Sequence, residues 1–128
     1  MRVLLTEAVF GDADDVGKAL RELGCRVSTC HSRAGLCRAL APGGRCPFDE
    51  ADAPDLAVDV RSVEPELTTR EFGVICALRA RVPVILTPAP GTCGPMIPPG
   101  LESRVVTADG EELIEACRGF LRSRTPAV

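Results

Sequence analysis

Short apolar runs alternate with amphipathic stretches along the whole chain. Arg2 to Thr6 reads as a buried strand that ends at Glu7, and Arg26 to Thr29, Leu56 to Val60, Pro83 to Thr87 and Arg104 to Thr107 repeat the pattern. Runs of this length, rich in β-branched residues, are strands rather than helices. Between them the period changes. Val16, Ala19, Leu20 and Leu23 recur at helical spacing, Asp12, Asp14 and Asp15 offer N-caps before them, and Gly24 stands where a helix stops. Ser32 caps an expected shorter helix that carries Leu36, Cys37 and Leu40 and ends at Gly43-Gly44. Thr68 with Glu71, and Asp109 with Glu112, have the spacing of capping boxes. They open helices that hold Phe72, Ile75, Cys76 and Leu78, and then Leu113, Ile114, Ala116, Cys117, Phe120 and Leu121.

Strands alternating with helices imply crossover connections and a parallel sheet. The expectation is an α/β fold, a doubly wound five-stranded parallel sheet of the flavodoxin-like, receiver-like kind. It forms a single domain over residues 1–124, with 125–128 as a C-terminal tail. Ligands of such sheets bind beyond the carboxyl ends of the strands, where the strand order reverses. That rule selects Glu7, the Asp12 to Asp15 group, Asp59, Thr87 and Thr107 as the positions to weigh.

Composition narrows the classes. The chain has 128 residues, of which 45% are hydrophobic and only 3% aromatic, so the core is aliphatic. The net charge of -3 and the absence of a basic block argue against nucleic-acid binding. The apolar opening MRVLLTEAVF soon meets an acidic stretch and does not read as a signal peptide, and no run has the length of a membrane span. The expectation is a cytoplasmic protein without membrane contact, whose cysteines stay reduced.

Three segments resemble the receiver domain of bacterial response regulators. MRVLLTE is similar to the family's first strand, PDLAVDVR to its third and VPVILT to its fourth. The resemblance covers nearly the whole chain, with an insertion around Gly43 to Ala53. It implies Asp59 as the phosphoacceptor, Glu7 and Asp12 as an acidic pocket for Mg²⁺, and Thr87 as the hydroxyl of the switch. Two departures stand beside it. The second acidic residue expected after Glu7 is Ala8, and the lysine expected at the end of the fifth strand is missing, because the single lysine, Lys18, belongs to the first helix. That lysine would neutralise the phosphoryl oxygens. Between strands four and five, Pro88, Pro90, Gly91, Gly94, Pro95, Pro98, Pro99 and Gly100 also argue for a Pro/Gly-rich loop in place of helix 4.

Seven cysteines ask for a separate account. Cys25, Cys76 and Cys117 fall on or beside apolar faces and read as small hydrophobes. Cys30, His31, Cys37 and Cys46 have the donor types that suit Zn²⁺ or an iron–sulfur cluster, although not the spacing of a zinc knuckle. Cys93, in the Pro/Gly loop, reads as a candidate reactive thiol.

Other motifs add little. Asp12 to Gly17 is faintly similar to a cobalamin-binding pattern but has Asp14 where that pattern needs a histidine. No GxGxxG follows the first strand. With one histidine and no triad in view, the expectation is not an enzyme. It is a stand-alone, receiver-like regulatory module that contacts another protein without phosphoryl transfer. A homodimer through the last strand and helix is the arrangement the family suggests. The alternatives are a Cys/His metal-binding or redox-sensing regulator on the same fold, and an active phosphoacceptor using Asp59.

Overall fold

The computed structural model describes residues 1–31, 35–40, 42–92, 94 and 96–124. Five strands form one sheet: β1 (Arg2–Glu7), β2 (Arg26–Ser28), β3 (Leu56–Arg61), β4 (Val84–Pro88) and β5 (Val106–Thr107). Their spatial order is β2-β1-β3-β4-β5, and every neighbouring pair runs parallel. The chain therefore reverses its direction of travel across the sheet between β1 and β3. This is the expected α/β, flavodoxin-like arrangement.

A parallel sheet needs cover on both faces. On one face Val3, Leu5, Leu56, Val58, Val60 and Ile85 pack with Leu20 of α1 (Asp14–Glu22) and with Leu113 and Cys117 of α3 (Gly110–Arg124). On the other, Leu4, Ala57, Val84 and Leu86 pack with Val74 and Ala77 of α2 (Gly73–Arg79). Alternate residues of each strand go to opposite faces, so parity along the strand decides which layer a side chain joins.

The helix ends follow local chemistry. α1 closes in a Schellman turn: Gly24 takes φ +92°, its amide donates to the Arg21 carbonyl, and the Cys25 amide donates to the Leu20 carbonyl. At its start Ala13 occupies the cap and makes no side-chain cap bond. The aspartates expected there do not serve. Instead Glu7, reaching over from β1, accepts hydrogen bonds from the amides of Gly11 and Ala13. The two capping boxes form as expected. Glu71 Oε1 accepts from the Thr68 amide at 2.9 Å, and Asp109 and Glu112 exchange bonds of 3.2 and 3.0 Å.

The helix expected after Ser32, ending at Gly43-Gly44, is not found in the described residues. The described residues of that segment hold a 3₁₀ turn at Arg38–Leu40, and Leu36 and Leu40 are 64% and 79% exposed. With no apolar face to bury, that stretch lacks the packing that stabilises a short helix. Ser32 lies outside the described residues, as do Cys93 and the 125–128 tail. Between β4 and β5 the described residues form turns.

Candidate functional site

Side-chain parity sorts the residues selected from the sequence into two groups. β1 pairs Thr6 with Asp59 and Glu7 with Val60, and β4 pairs Leu86 with Asp59 and Thr87 with Val60. Asp59 therefore shares the α2 face with Thr6, Leu86 and, two residues on, Arg61. Glu7 and Thr87 lie on the α1/α3 face, separated by Val60. The structure does not bring Asp59 and Glu7 to one pocket.

Asp59 is fully buried, at 0% exposure. Thr6 Oγ1 donates to its Oδ1 at 2.7 Å. Its Oδ2 is also buried and, as an ionised acceptor, meets no donor. Its neighbour there is Glu71. Burial first, and then the Glu71 carboxylate, push the Asp59 carboxyl well above the usual carboxylate range; the Thr6 bond and the Arg61 charge oppose this. Protonation resolves the conflict, because a proton on Oδ2 can be donated to Glu71. For Glu71 burial also pushes upward, but hydrogen bonds from Asp59, Arg61 and the Thr68 amide, with the charge of Arg61, outweigh it and hold the group below its usual value. Of the two carboxyls, Asp59 is thus the one that holds a proton more tightly.

Arg61 completes this network. It is fully buried and ion-paired to Glu71, itself at 0% exposure. Its Nε donates to the Met96 carbonyl at 2.8 Å, and Nη2 donates to the carbonyls of Glu64 and Pro65 at 2.7 and 3.2 Å. One guanidinium thus ties together the end of β3, the loop before α2, the 3₁₀ turn at Thr69–Glu71 and the β4–β5 connection. The sequence reading missed Arg61. Its signal was the alternation in Ala57, Asp59, Arg61: three positions of one face, two of them charged.

Glu7 is half-buried and serves the α1 turn through the Gly11 and Ala13 amides, with Asp12 beside it in that turn. Thr87 is buried, at 1% exposure. At the end of β5 the buried Ala108 follows Thr107, and Lys18 is exposed on α1.

The cysteines form a second group. Cys30 is buried at the end of β2, and His31 Nδ1 lies 3.1 Å from its sulfur. His31 bridges to Cys37 in an antiparallel ladder of one pair. Burial first, and then the proximity of Cys37, Cys76 and Cys46, push the Cys30 thiol up to about 12. Burial, Cys46 and Cys37 likewise raise Cys76, which is exposed on α2. Four thiols, from the segment after β2 and from α2, thus gather at one corner, and Cys76, read from the sequence as a core residue, belongs with them. As placed, no three Cys, His, Asp or Glu side chains among the described residues form a group that could hold a metal ion. A thiol held protonated is also a weak nucleophile.

A crevice of about 590 Å³ opens beyond the carboxyl ends of β1 and β2, beside the point where the strand order reverses. Leu5, Phe10 and Ala13 give it apolar wall, Glu7, Asp14 and three arginines give it charge, and His31 lines it beside them. No protein-family model and no curated protein matches the chain. Among the described residues, no helix is long and apolar enough to cross a membrane.

Proposed function

We propose that the chain is a regulatory module on a receiver-like scaffold, one that acts by contacting another protein and performs no phosphoryl transfer. The observation that carries this reading is the position of Asp59. It is sealed beneath α2, bonded to Thr6, and on the opposite face of the sheet from Glu7, and burial pushes its carboxyl above the usual carboxylate range. An aspartate that receives a phosphoryl group must be ionised, open to the donor and next to the carboxylates that hold Mg²⁺. The absence of a lysine at the end of β5 supports the same reading. At the same end of the domain Phe10, Val63, Phe72 and Met96 are 45% or more exposed. The Arg70–Phe10 stack and the Arg61 bonds tie their loops together. Exposed apolar side chains on loops held in place suit a protein contact. Incubation with a small phosphodonor and Mg²⁺ tests the reading: the intact mass stays unchanged. A phosphoryl increment that disappears in Asp59→Asn would restore an active phosphoacceptor.

A second reading is favoured by the gathering of Cys30, Cys37, Cys46 and Cys76. It makes this corner a metal- or redox-responsive element, and it requires the loop that carries Cys37 and Cys46 to close on α2. Elemental analysis and a visible spectrum of anaerobically purified protein decide it. Metal or a cluster bound stoichiometrically supports it; colourless, folded protein that ignores added Zn²⁺ overturns it.

A further inference from the structure

The arginine content of the crevice sets it apart from the rest of an acidic chain. Arg21 of α1, Arg38 after β2 and Arg70 before α2 come from three separate segments and line one concavity. Among the described residues neither Arg21 nor Arg38 has an ion-pair partner. Arg70 lies over the Phe10 ring, 5.6 Å from its centre, at the same opening. Two carboxylates share the lining. Glu7 is occupied by the amides of Gly11 and Ala13, and Asp14 is exposed on the first turn of α1.

The backbone makes room for this arrangement at Gly17. A Cβ there would stand 3.2 Å from Leu5 Cδ2 and 3.3 Å from Arg21 Nη1, so the bare backbone lets the Arg21 head fold back into the crevice. A second cavity of about 410 Å³ shares Arg21 and Arg38 and adds Arg45, Glu50 and Arg2, the last ion-paired to Asp52. Ser28 Oγ in its wall is buried with no hydrogen-bond partner among the described residues. Arginines thus continue along β2, with Glu50 and the Asp52 partner of Arg2 offsetting part of their charge.

We propose that this crevice binds a small organic phosphate of about mononucleotide size. Guanidinium groups bind phosphate oxygens in pairs of parallel hydrogen bonds. The volume lies within the roughly 300–1,000 Å³ of small-molecule sites, and the crevice borders the carboxyl end of β1, the strand next to the reversal near which doubly wound sheets hold ligands. Leu5 and Phe10 give the uncharged part of the ligand an apolar wall. Convergence of the arginines on a concavity, in a chain of net charge -3, favours a compact ligand over a nucleic-acid backbone. The inference is independent of the proposed partner contact, since neither needs the other.

The test uses the whole chain, with inorganic phosphate, pyrophosphate and adenosine monophosphate as probes at constant ionic strength. Arginine side-chain NMR signals are read together with calorimetry. Saturable binding is expected, with signals of Arg21, Arg38 and Arg70 moving together and adenosine monophosphate binding more tightly than phosphate. Arg38→Gln and Arg70→Gln each weaken it about tenfold or more, the scale of a lost charge-assisted hydrogen bond. Exposed Arg104→Gln leaves binding unchanged, and a circular dichroism spectrum confirms that each variant folds. Three results overturn the proposal: no saturable change up to roughly ten times a millimolar dissociation constant, equal weakening by Arg104→Gln, or tighter binding of a single-stranded oligonucleotide than of any of the three probes.

Discussion

The Thr6 hydroxyl and the Asp59 carboxyl face each other across β1 and β3, 2.7 Å apart and closed off from solvent. Strand pairing puts them at the same level, and the extension of β3 through Arg61 puts both on the α2 face. The consequence is chemical. A carboxyl so placed holds its proton more tightly than a solvated one; a protonated Oδ2 can donate to Glu71, which carries the charge that Arg61 needs.

The buried Arg61–Glu71 pair fixes the loops at the carboxyl end of the sheet. Removing one partner strands a charge in the interior, at a cost of about 3–5 kcal/mol. Arg61→Ala and Glu71→Ala are each expected to lose that much in urea unfolding. The double replacement Arg61→Met with Glu71→Leu is expected to lose far less than the sum. Losses below about 1 kcal/mol for the single variants, the scale of an exposed pair, would contradict the network.

The pH dependence has a definite sign. Asp59 has a raised native pKa, so the folded chain holds a proton that the unfolded chain releases. Its contribution is full below the ordinary carboxylate value and is lost as pH rises through the raised one. Glu71 has a lowered native pKa, so its contribution is present above the ordinary value and lost as pH falls through the lowered one. Asp59→Asn keeps a neutral donor to Glu71. Relative to wild type it is expected to remove the decline above the carboxylate range and to leave the acid-side loss in place. His31, lowered by burial and then by Arg70, adds a slope near its own range that cancels in the difference. Urea midpoints against pH for the two proteins check this. Identical slopes would sink the assignment of the proton to Asp59.

Gly73 is a packing requirement. A Cβ there would stand 2.8 Å from Cys30 Sγ, 3.0 Å from Thr6 Cγ2 and 3.1 Å from Leu4 Cδ2. Gly73→Ala is expected to cost about 1–3 kcal/mol through overcrowding. Part of that returns in the double variant with Cys30→Ala, which removes the closest atom. A double-mutant cycle reads the coupling; strict additivity would mean that α2 does not seat on Cys30.

The strands and the stops of this fold are plain in the sequence because they rest on local rules. Apolar runs of four or five residues, the Gly24 stop and the two capping boxes all act within a few residues. What was not legible depends on parity and on distance. Whether Asp59 joins Thr6 or Glu7 turns on one residue of register, and a single step changes the face. The raised pKa of Asp59 comes from burial first and then from Glu71, twelve positions on and in a different element. The turn that leads into α1 is held by Glu7, in the preceding strand, rather than by the aspartates beside it. The helix expected around Leu36 and Leu40 had suitable spacing but no surface to pack against. The Arg21, Arg38 and Arg70 crevice has no linear signature, since three segments supply it, and Cys76 joins the other thiols only through the packing of α2.

Carboxyl carbon NMR of Asp59, followed across pH with and without Mg²⁺, tests the central claim most directly. The account predicts a resonance that stays at its protonated position well above the pH at which exposed carboxylates ionise, and that does not move on adding Mg²⁺. A resonance that titrates in the ordinary carboxylate range and shifts with Mg²⁺ would contradict it and return Asp59 to an open, metal-linked site.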